Sequence, residues 1–384
     1  MTIENLRDFA SPRQIEFLDA IEEHKGVRAA ARALGIDHAY IVRSLKKLRA
    51  FAGQKSRDTH LNGVPDGFKI KGTSTYYDKG GKAVGQWVKT TTDHERQAEL
   101  MKAAVAAMCQ DITPVAAIPA PACVAPDLLN LYVITDYHLG MLAWARETGE
   151  PWDLNIAEDT LVQVFSRMLA ATPDSGTAVI AQLGDFLHSD GLLPVTPTSG
   201  HVLDSDSRFA KVVGVAIRVL RRLVEMALRQ HEQVIVLLAE GNHDMASSIW
   251  LRAMFAALYE NEPRVKVIDH PRPFYALQHG DTMLAFHHGH LAKNEALPLL
   301  FATDYARMWG DTEFRYAHTG HRHHVDVKEH SGMTVEQHTT LAAKDAYSAR
   351  GGWRNTRGAE AITYHRQHGE VGRVTVRPQM VAPN

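Results

Sequence analysis

The pattern of apolar and polar positions differs between the two ends of the chain. Residues 12–52 repeat apolar side chains at helical spacing and predict three short helices, with a Gly35-Ile36 turn before the third and Asp37 as its N-cap. After residue 128, short apolar runs alternate with long amphipathic stretches, which predicts an α/β layered fold. The strands are predicted at 129–135, 178–183, 233–238, 265–268, 282–286 and 314–318, and the helices at 158–171, 208–229 and 247–259.

Two further elements separate these regions. Alternating runs at 67–77 and 82–90, with a glycine-containing turn between them, predict a β-hairpin, and residues 94–108 are typical of a helix. Four prolines and many alanines between residues 112 and 127 predict an extended linker. We therefore predict a helical module at 1–55, a hairpin and helix at 56–111, a linker at 112–127, and an α/β domain with a β-rich tail at 128–384.

Charge is unevenly distributed along the chain. The net charge is only -2, yet nine Lys or Arg and one acid lie between Lys25 and Arg57. The layout resembles bacterial and phage helix-turn-helix modules, in which the third helix enters the major groove of DNA. The alternative is a small bundle whose basic residues are simply solvated. The residues expected on the exposed face of the third helix, and so in contact with DNA, are His38, Tyr40, Arg43, Ser44 and Lys47.

The hairpin and the cysteines add two weaker indications. Lysines alternate with aromatic residues in the hairpin, which suits contact with phosphates and unstacked bases, or equally the protection of edge strands. Cys109 and Cys123 lack metal-site spacing, and no apolar run reaches the roughly 18 residues of a bilayer span. We therefore expect a cytoplasmic protein without membrane contact, in the host cytoplasm if it is phage-encoded, and leave open whether it forms a homo-oligomer.

Polar residues follow five of the predicted strands. Because open α/β folds place their chemistry at the carboxyl ends of strands, these residues are expected to meet. In order, they resemble the five signature blocks of the calcineurin-like metallophosphoesterases, over about half of the chain. The blocks are Asp136-Tyr137-His138, Gly184-Asp185, Gly241-Asn242-His243-Asp244, His287-His288-Gly289-His290 and Gly320-His321-Arg322-His323.

The resemblance implies a two-sheet sandwich flanked by helices that holds two divalent metal ions. Asp185 would bridge the two ions, since each oxygen of a carboxylate can serve one of them. Family correspondence also implies manganese, while the mixed ligand types leave iron, zinc or magnesium open. The implied ligands of one ion are Asp136, His138 and His323, and those of the other are Asn242, His288 and His321.

The same resemblance implies phosphodiester hydrolysis, with hydroxide activated between the metals attacking phosphorus in line. His243 is expected to protonate the leaving oxygen, with Asp244 orienting its imidazole. His290 and Lys293 are candidate contacts to the substrate, and His287 is expected to be a buried residue that does not bind metal. Tyr305 and Trp309, which lie with Lys293 between the fourth and fifth blocks, are expected to shape a substrate groove.

The substrate is less well defined by the sequence. Residues 184–188, Gly-Asp-Phe-Leu-His, resemble the second block of double-strand-break repair nucleases, which makes His188 a catalytic candidate near the substrate. Together with the helix-turn-helix, this favours a metal-dependent DNA nuclease of phage-type architecture. Two alternatives stay open, a phosphodiesterase or phosphatase for small molecules such as nucleotides, and a DNA-binding regulator with a non-catalytic metal site.

Overall fold

The structure is a computed structural model that divides into two compact units, Met1–Gln110 and Asp111–Asn384. It describes residues 4–7, 10–58, 68–77, 83–92, 118–122, 124–197, 199–352 and 354–381. The predicted hairpin turn at 78–81, the predicted helix at 94–108, both cysteines and much of the predicted linker lie outside these residues. No helix within the described ranges combines the length and apolarity needed to cross a bilayer.

The first unit confirms the predicted helices. A short helix that was not predicted, α1 (Glu4–Arg7), comes first. The three predicted helices are α2 (Pro12–Glu23), α3 (Val27–Ala33) and α4 (His38–Asp58), and α4 ends later than expected. Buried Ile41, Leu45 and Leu48 lie on one face of α4 and pack against α2 and α3. Gly35 adopts a φ of 66° in the turn before α4, and Asp37 accepts a hydrogen bond from the Ala39 backbone N–H at 2.9 Å.

The predicted hairpin is also present in the first unit. Strands β1 (Phe68–Tyr77) and β2 (Ala83–Thr92) pair antiparallel, from Phe68 opposite Thr92 to Tyr77 opposite Ala83. Lys71, Tyr76 and Lys89 are exposed, as expected of a ribbon that offers basic and aromatic side chains to solvent.

The second unit contains two mixed sheets. One has the order β13-β12-β3-β4-β5-β6, in which β3 to β6 are parallel, and the other has the order β10-β11-β9-β8-β7, in which β8, β9 and β11 are parallel. The strands are β3 (Ala125–Ile134), β4 (Ser175–Gln182), β5 (Gln233–Leu238), β6 (Val265–Ile268), β7 (Tyr275–His279), β8 (Thr282–Phe286), β9 (Phe314–Thr319), β10 (Asp326–His330), β11 (Met333–Gln337), β12 (Ala359–His365) and β13 (Gly369–Val376).

Helices cover the outer faces of both sheets. Among them, Leu297 and Phe301 pack on the outer face of the five-stranded sheet, and the long helices that follow β3 and β4 flank the six-stranded one. The helices of this unit are α5 (Ala145–Thr148), α6 (Leu154–Ala171), α7 (Phe209–Leu228), α8 (Met245–Leu258), α9 (Leu297–Asp304), α10 (Ala306–Gly310) and α11 (Ala346–Arg350).

The core between the sheets draws apolar side chains from both. Leu131, Val179 and Leu237 of the larger sheet share one buried cluster with Leu284 and Phe286 of the smaller sheet. Burial of such side chains contributes about 1.5–3 kcal/mol each, so this layer fixes how the two sheets face each other. The predicted α/β fold with two packed sheets flanked by helices is confirmed.

Two predictions about this unit were wrong in detail, and one strand was missed. Strand β3 begins at Ala125, inside the predicted linker, and the edge strand β7 was not predicted. Tyr305 and Trp309 were expected to shape a substrate groove. They instead pack on the outer face of the smaller sheet, where the Tyr305 hydroxyl donates to the Phe274 carbonyl at 2.8 Å.

Candidate metal centre

Five loops bring the predicted ligands to one end of the sandwich. Three follow the adjacent parallel strands β3, β4 and β5, and two follow the adjacent parallel strands β8 and β9. Backbone pairing continues into the loops: the Asp136 N–H donates to the Gly184 carbonyl at 3.1 Å, and the Gly320 N–H donates to the His288 carbonyl at 2.8 Å. The loops therefore continue the sheet instead of diverging from it.

Unusual backbone conformations concentrate in these loops. Six non-glycine residues of the described chain have positive φ, and Lys25 alone of the six is not a predicted ligand. A non-glycine residue in this conformation destabilises the fold by about 1–3 kcal/mol, so the conformation persists only where the surrounding structure enforces it. The five predicted ligands concerned are Asp136 (49°), His138 (49°), Asp185 (51°), His321 (72°) and His323 (56°).

Motif glycines allow the loops to approach one another closely. A Cβ on Gly241 would lie 2.0 Å from Asp185 Oδ1, and one on Gly320 would lie 1.9 Å from Thr135 Oγ1. No other residue type fits at either position.

The first ligand cluster consists of Asp136, His138 and His323, whose ligand atoms lie within 4.8 Å of one another. Thr135 Oγ1 and the His321 N–H donate to Asp136 Oδ2 at 2.6 and 2.8 Å, so that oxygen is satisfied. Asp136 Oδ1 is buried without a hydrogen-bond partner and lies 3.2 Å from His323 Nε2. A buried carboxylate oxygen aimed at ring nitrogens is the arrangement expected of a metal ligand.

The second cluster consists of Asp185, His288 and His321, again within 4.8 Å. His288 Nδ1 donates to the Leu183 carbonyl at 2.9 Å, which leaves the Nε2 lone pair for a ligand. That Nε2 lies 3.3 Å from Asp185 Oδ2, 3.2 Å from Asn242 Oδ1 and 4.0 Å from Asp136 Oδ1. His288 thus joins the second cluster to the first.

The pKa shifts of the residues in this centre indicate a negative electrostatic potential that favours a bound cation. Burial alone would lower the pKa of His288, but the carboxylates of Asp185 and Asp136 raise it to about 9. Burial likewise opposes ionisation of Asp136 and Asp185, yet the nearby imidazoles hold the pKa of each below its ordinary value. Two buried carboxylates beside several imidazole nitrogens fit divalent metal ions, because a bound cation would compensate the buried negative charge of the carboxylates.

His243 lies beside the first cluster but has a different partner from the one predicted. Its ring centroid is 4.6 Å from that of His138, and its Nδ1 donates to the His188 carbonyl at 2.8 Å. The prediction that Asp244 orients this imidazole was therefore wrong.

Asp244 instead clamps the backbone of two loops. Its buried carboxylate accepts from the N–H groups of Gly241, Asp185, Phe186 and Leu187 at 2.7–3.2 Å. Burial and the charge of Asp185 raise the pKa of Asp244 to about 7, against the opposing effect of these N–H donors. The residue holds Asp185 in its strained conformation.

His188 is buried next to the predicted metal ligand His138. The residue is 3% exposed, and its Nδ1 is 3.4 Å from Nδ1 of His138. Burial, followed by the neighbouring His243, lowers the pKa of His188 to about 3, so the ring is neutral and its Nδ1 can accept a hydrogen bond from the Nδ1–H of His138. Its geometry is that of a residue that orients His138 and, through its carbonyl, His243.

The remaining histidines of the fourth block differ in their surroundings. His287 stacks on Phe274 with 4.3 Å between ring centroids and contacts the Pro273 carbonyl through Nδ1, away from the clusters. His290 lies 5.2 Å from the His288 ring, and both of its ring nitrogens are buried without a hydrogen-bond partner. Lys293 is exposed, two residues beyond the exposed Leu291.

A further histidine cluster was not predicted from the sequence. His318, Glu336 and His338 lie within 4.8 Å of one another and are buried. Their polar atoms already have protein partners: His318 Nε2 pairs with the Tyr364 hydroxyl at 3.0 Å, and Arg373 pairs with Glu336. This network spans both sheets and is best explained as a structural clamp. His318 lies on β9, whereas Glu336 is at the end of β11 and His338 directly follows it, so no single local motif contains all three.

The first unit exposes most of the residues predicted to contact DNA. His38, Tyr40, Arg43 and Lys47 are exposed on α4. Ser44 is only partly exposed, because Gln14 of α2 donates to its hydroxyl and its carbonyl at 3.4 Å. Ser44 therefore contributes mainly to helix packing.

No family model and no curated protein matches the chain. Among solved structures, a conserved uncharacterized protein of Streptococcus pneumoniae, described as a predicted phosphoesterase, is 11% identical, with a TM-score of 0.28, over 66% of this chain and 100% of its own. Vps29 of Entamoeba histolytica complexed with zinc is 13% identical, with a TM-score of 0.28, over 65% and 99%. A novel archaeal phosphodiesterase is 11% identical, with a TM-score of 0.34, over 64% and 99%. Likeness at this level carries no weight in assigning function, which we base on the residues of this chain.

Proposed function

We propose that the chain is a phosphodiesterase with a two-metal centre that hydrolyses DNA. The observation that carries the proposal is the meeting of seven ligand candidates from five loops in two adjoining clusters. His288 Nε2 lies within 4.0 Å of carboxylate oxygens from both Asp136 and Asp185, so two sites share one charged core.

The donor atoms suit ions of intermediate softness. Asp136, His138 and His323 would hold one ion, and Asn242, His288 and His321 would hold the other, with Asp185 between them. Manganese is our candidate, with iron, zinc or magnesium as alternatives. When bound, such a pair supplies an activated water and binds the phosphoryl oxygens.

His243 is positioned for proton transfer to the leaving group. Its Nδ1–H is held by the His188 carbonyl, so Nε2 is the nitrogen left to give a proton to the departing oxygen. The short bond to a backbone carbonyl fixes the ring plane without adding a charge beside the substrate. We propose that His290 binds a non-bridging phosphate oxygen, which is supported by its two ring nitrogens having no hydrogen-bond partner.

The choice of DNA rests on the first unit. An exposed helical face carrying Arg43 and Lys47, in a chain segment with a single acid, suits the phosphate backbone of a duplex. Linked to the same chain, this unit would raise the concentration of DNA at the metal centre. Release of counterions from DNA would make that contribution weaken as salt rises.

The test compares wild-type protein with Asp185→Asn and His243→Ala, in added Mn²⁺, on linear duplex, circular duplex, single-stranded DNA and bis(p-nitrophenyl) phosphate. We expect the wild type to cleave DNA and both variants to lose turnover, about 10²-fold or more for His243→Ala. Elemental analysis should find normal metal content in His243→Ala. Asp311→Asn is the matched control and should retain activity, because it changes an exposed carboxylate directly after α10, which packs on the outer face of the smaller sheet.

The outcomes separate the three functions. Hydrolysis of the small diester without DNA cleavage would favour a small-molecule phosphodiesterase. Sequence-specific DNA binding without any hydrolysis would favour a regulator. Loss of both metals from His243→Ala would contradict its assignment as proton donor.

A further inference from the structure

Two aromatic side chains of the second unit are exposed. Trp144 and Tyr347 are 62% and 67% exposed, whereas every other Phe, Trp and Tyr that the structure describes between residues 118 and 381 is buried or partly buried. An exposed tryptophan leaves a large apolar area in water, and tryptophan and tyrosine are enriched on surfaces that a partner covers.

The two residues lie on helices that contact each other. Trp144 immediately precedes α5, Tyr347 belongs to α11, and these short helices pack together. Arg350 of α11 forms an ion pair with Glu147 of α5 at 3.1 Å. The Tyr347 ring also lies 6.4 Å from that of His201, in the loop that follows the second block.

Both helices are connected directly to the metal-centre loops. The chain reaches Trp144 six residues after His138, and on the way the Leu142 N–H donates to the Asp204 carbonyl at 3.0 Å. On the other side, Thr340 Oγ1 donates to the Asp136 carbonyl at 2.6 Å, seven residues before Tyr347. The aromatic pair therefore flanks the ligand clusters instead of lying on the opposite end of the unit.

Cationic groups accompany the rings. The Arg146 guanidinium lies 5.4 Å from the Trp144 ring centroid, and the Arg350 side chain, although it pairs with Glu147, is 81% exposed. Flat aromatic surfaces beside guanidinium groups match a single nucleic-acid strand, which presents base faces and phosphates alternately. An apolar protein partner would not require these cations.

We propose that Trp144 and Tyr347 form a base platform, on which unpaired bases of the DNA strand stack next to the phosphate being cleaved. The inference rests on the proposed function and narrows its substrate to single-stranded DNA or an unpaired end. Stacking is tolerant of base identity, because every base has a π-face, so the platform binds strand without selecting sequence.

The experiment measures cleavage by wild type, Trp144→Ala, Tyr347→Ala and Trp144→Phe of three substrates: a single-stranded oligonucleotide, an abasic strand of equal length, and bis(p-nitrophenyl) phosphate. Leu299→Ala is the control, because Leu299 is 76% exposed on α9, which packs on the outer face of the smaller sheet. We expect each alanine variant to raise KM for the oligonucleotide about tenfold, from the loss of one stacked base. Trp144→Phe should restore most of the affinity.

The other two substrates decide whether stacking is the cause. Activity on the abasic strand and on the small diester should be the same in all the proteins. An unchanged KM for the oligonucleotide, or an equal loss on all three substrates, would overturn the platform while leaving the proposed function in place. A wild type that hydrolyses the small diester but no oligonucleotide would overturn both.

Discussion

The backbone carbonyl of His188 accepts a hydrogen bond from His243 Nδ1 at 2.8 Å, while the His188 side chain lies 3.4 Å from His138 Nδ1. One residue of the second block therefore contacts two residues with separate roles. The carbonyl contact survives any substitution, whereas the ring contact does not. The two functions of His188 can be separated by mutation.

We predict that His188→Ala weakens metal binding at the first cluster but leaves His243 in place. Loss of a partner that orients a ligand typically costs about 10–100-fold in metal affinity. Mn²⁺ titration by calorimetry should detect the weaker site, and saturating Mn²⁺ should restore most of the turnover. His201→Ala, in an exposed part of the following loop, is the control. Unrecovered turnover at saturating metal would indicate a direct catalytic role.

Replacing Asp244 should destabilise the protein as well as inactivate it. Asp244→Asn keeps the shape of the side chain but replaces one accepting carboxylate oxygen with an NH₂ group. The backbone N–H groups that this oxygen accepted from are then left unpaired, and each buried donor left unpaired costs about 1–3 kcal/mol. We expect a loss of roughly 2–4 kcal/mol in the free energy of unfolding, measured by urea denaturation of the metal-free protein. A variant with wild-type stability would contradict the role of Asp244 as the acceptor for these four backbone N–H groups.

Gly241→Ala should abolish metal binding, because the added Cβ would lie 2.0 Å from Asp185 Oδ1 and 2.2 Å from its backbone nitrogen. Gly214→Ala gives a matched comparison. Gly214 is exposed within α7 and has no atom within 4 Å of an added Cβ, so this change should stabilise the protein by about 0.5–1 kcal/mol. Thermal unfolding and elemental analysis of both variants check the pair. Normal metal content in Gly241→Ala would contradict the close approach of these loops.

His231 predicts a pH dependence of stability away from the metal centre. It is fully buried, its Nδ1 donates to the Ser175 carbonyl at 3.0 Å, and its Nε2 accepts from the Tyr132 hydroxyl at 2.9 Å. Burial lowers its pKa below the ordinary 6.5, only partly opposed by the Ser175 bond, so the folded state holds the neutral ring. The unfolded chain then binds more protons as pH falls below 6.5, and folding loses stability in that direction until the folded ring also titrates.

Urea denaturation of wild type and His231→Gln between pH 7.5 and 5 tests this sign. The stability advantage of the wild type should shrink as pH falls, by at most about 1.4 kcal/mol per pH unit. His368→Gln, at an exposed position, is the control. The role of His231 would be contradicted if the stability difference between wild type and His231→Gln did not change with pH. It would also be contradicted if the difference between wild type and His368→Gln shrank by the same amount.

The parts of the fold that the sequence predicted are those with strong local patterns. Strands β5 and β6 match their predicted bounds because each is a short run of largely apolar, β-branched residues. The start of β3 was missed because none of the residues from Ala125 to Leu128 is buried and Pro126 among them suggests a linker. The edge strand β7 has no such run, and its pairing with β8 is what defines it.

The ligand set could be predicted because each ligand follows a strand in a short motif. The partners of those ligands could not, since they depend on contacts between distant segments. Asp244 binds backbone N–H groups about 58 residues away, and backbone groups leave no signature in a sequence. Likewise, nothing local indicates that Trp144 and Tyr347 would lie on helices that touch.

The basic face of α4 yields a prediction about salt. Each phosphate neutralised by a lysine or arginine adds about 0.9 to the steepness of log affinity against log salt, through released counterions. We predict that the double variant Arg43→Ala/Lys47→Ala, studied in an Asp185→Asn background, binds duplex DNA more weakly than the Asp185→Asn protein. The slope of log affinity against log salt, measured by fluorescence anisotropy, should also become shallower, by the release of about two fewer counterions. Arg13→Ala is the control, because Arg13 is exposed on α2 and pairs with Glu16 at 2.6 Å.

The same double variant with an intact Asp185 should hydrolyse bis(p-nitrophenyl) phosphate at the wild-type rate, since that substrate needs only the metal centre. An unchanged slope would mean that α4 does not contact the phosphates, and the case for DNA as substrate would then lose its main support.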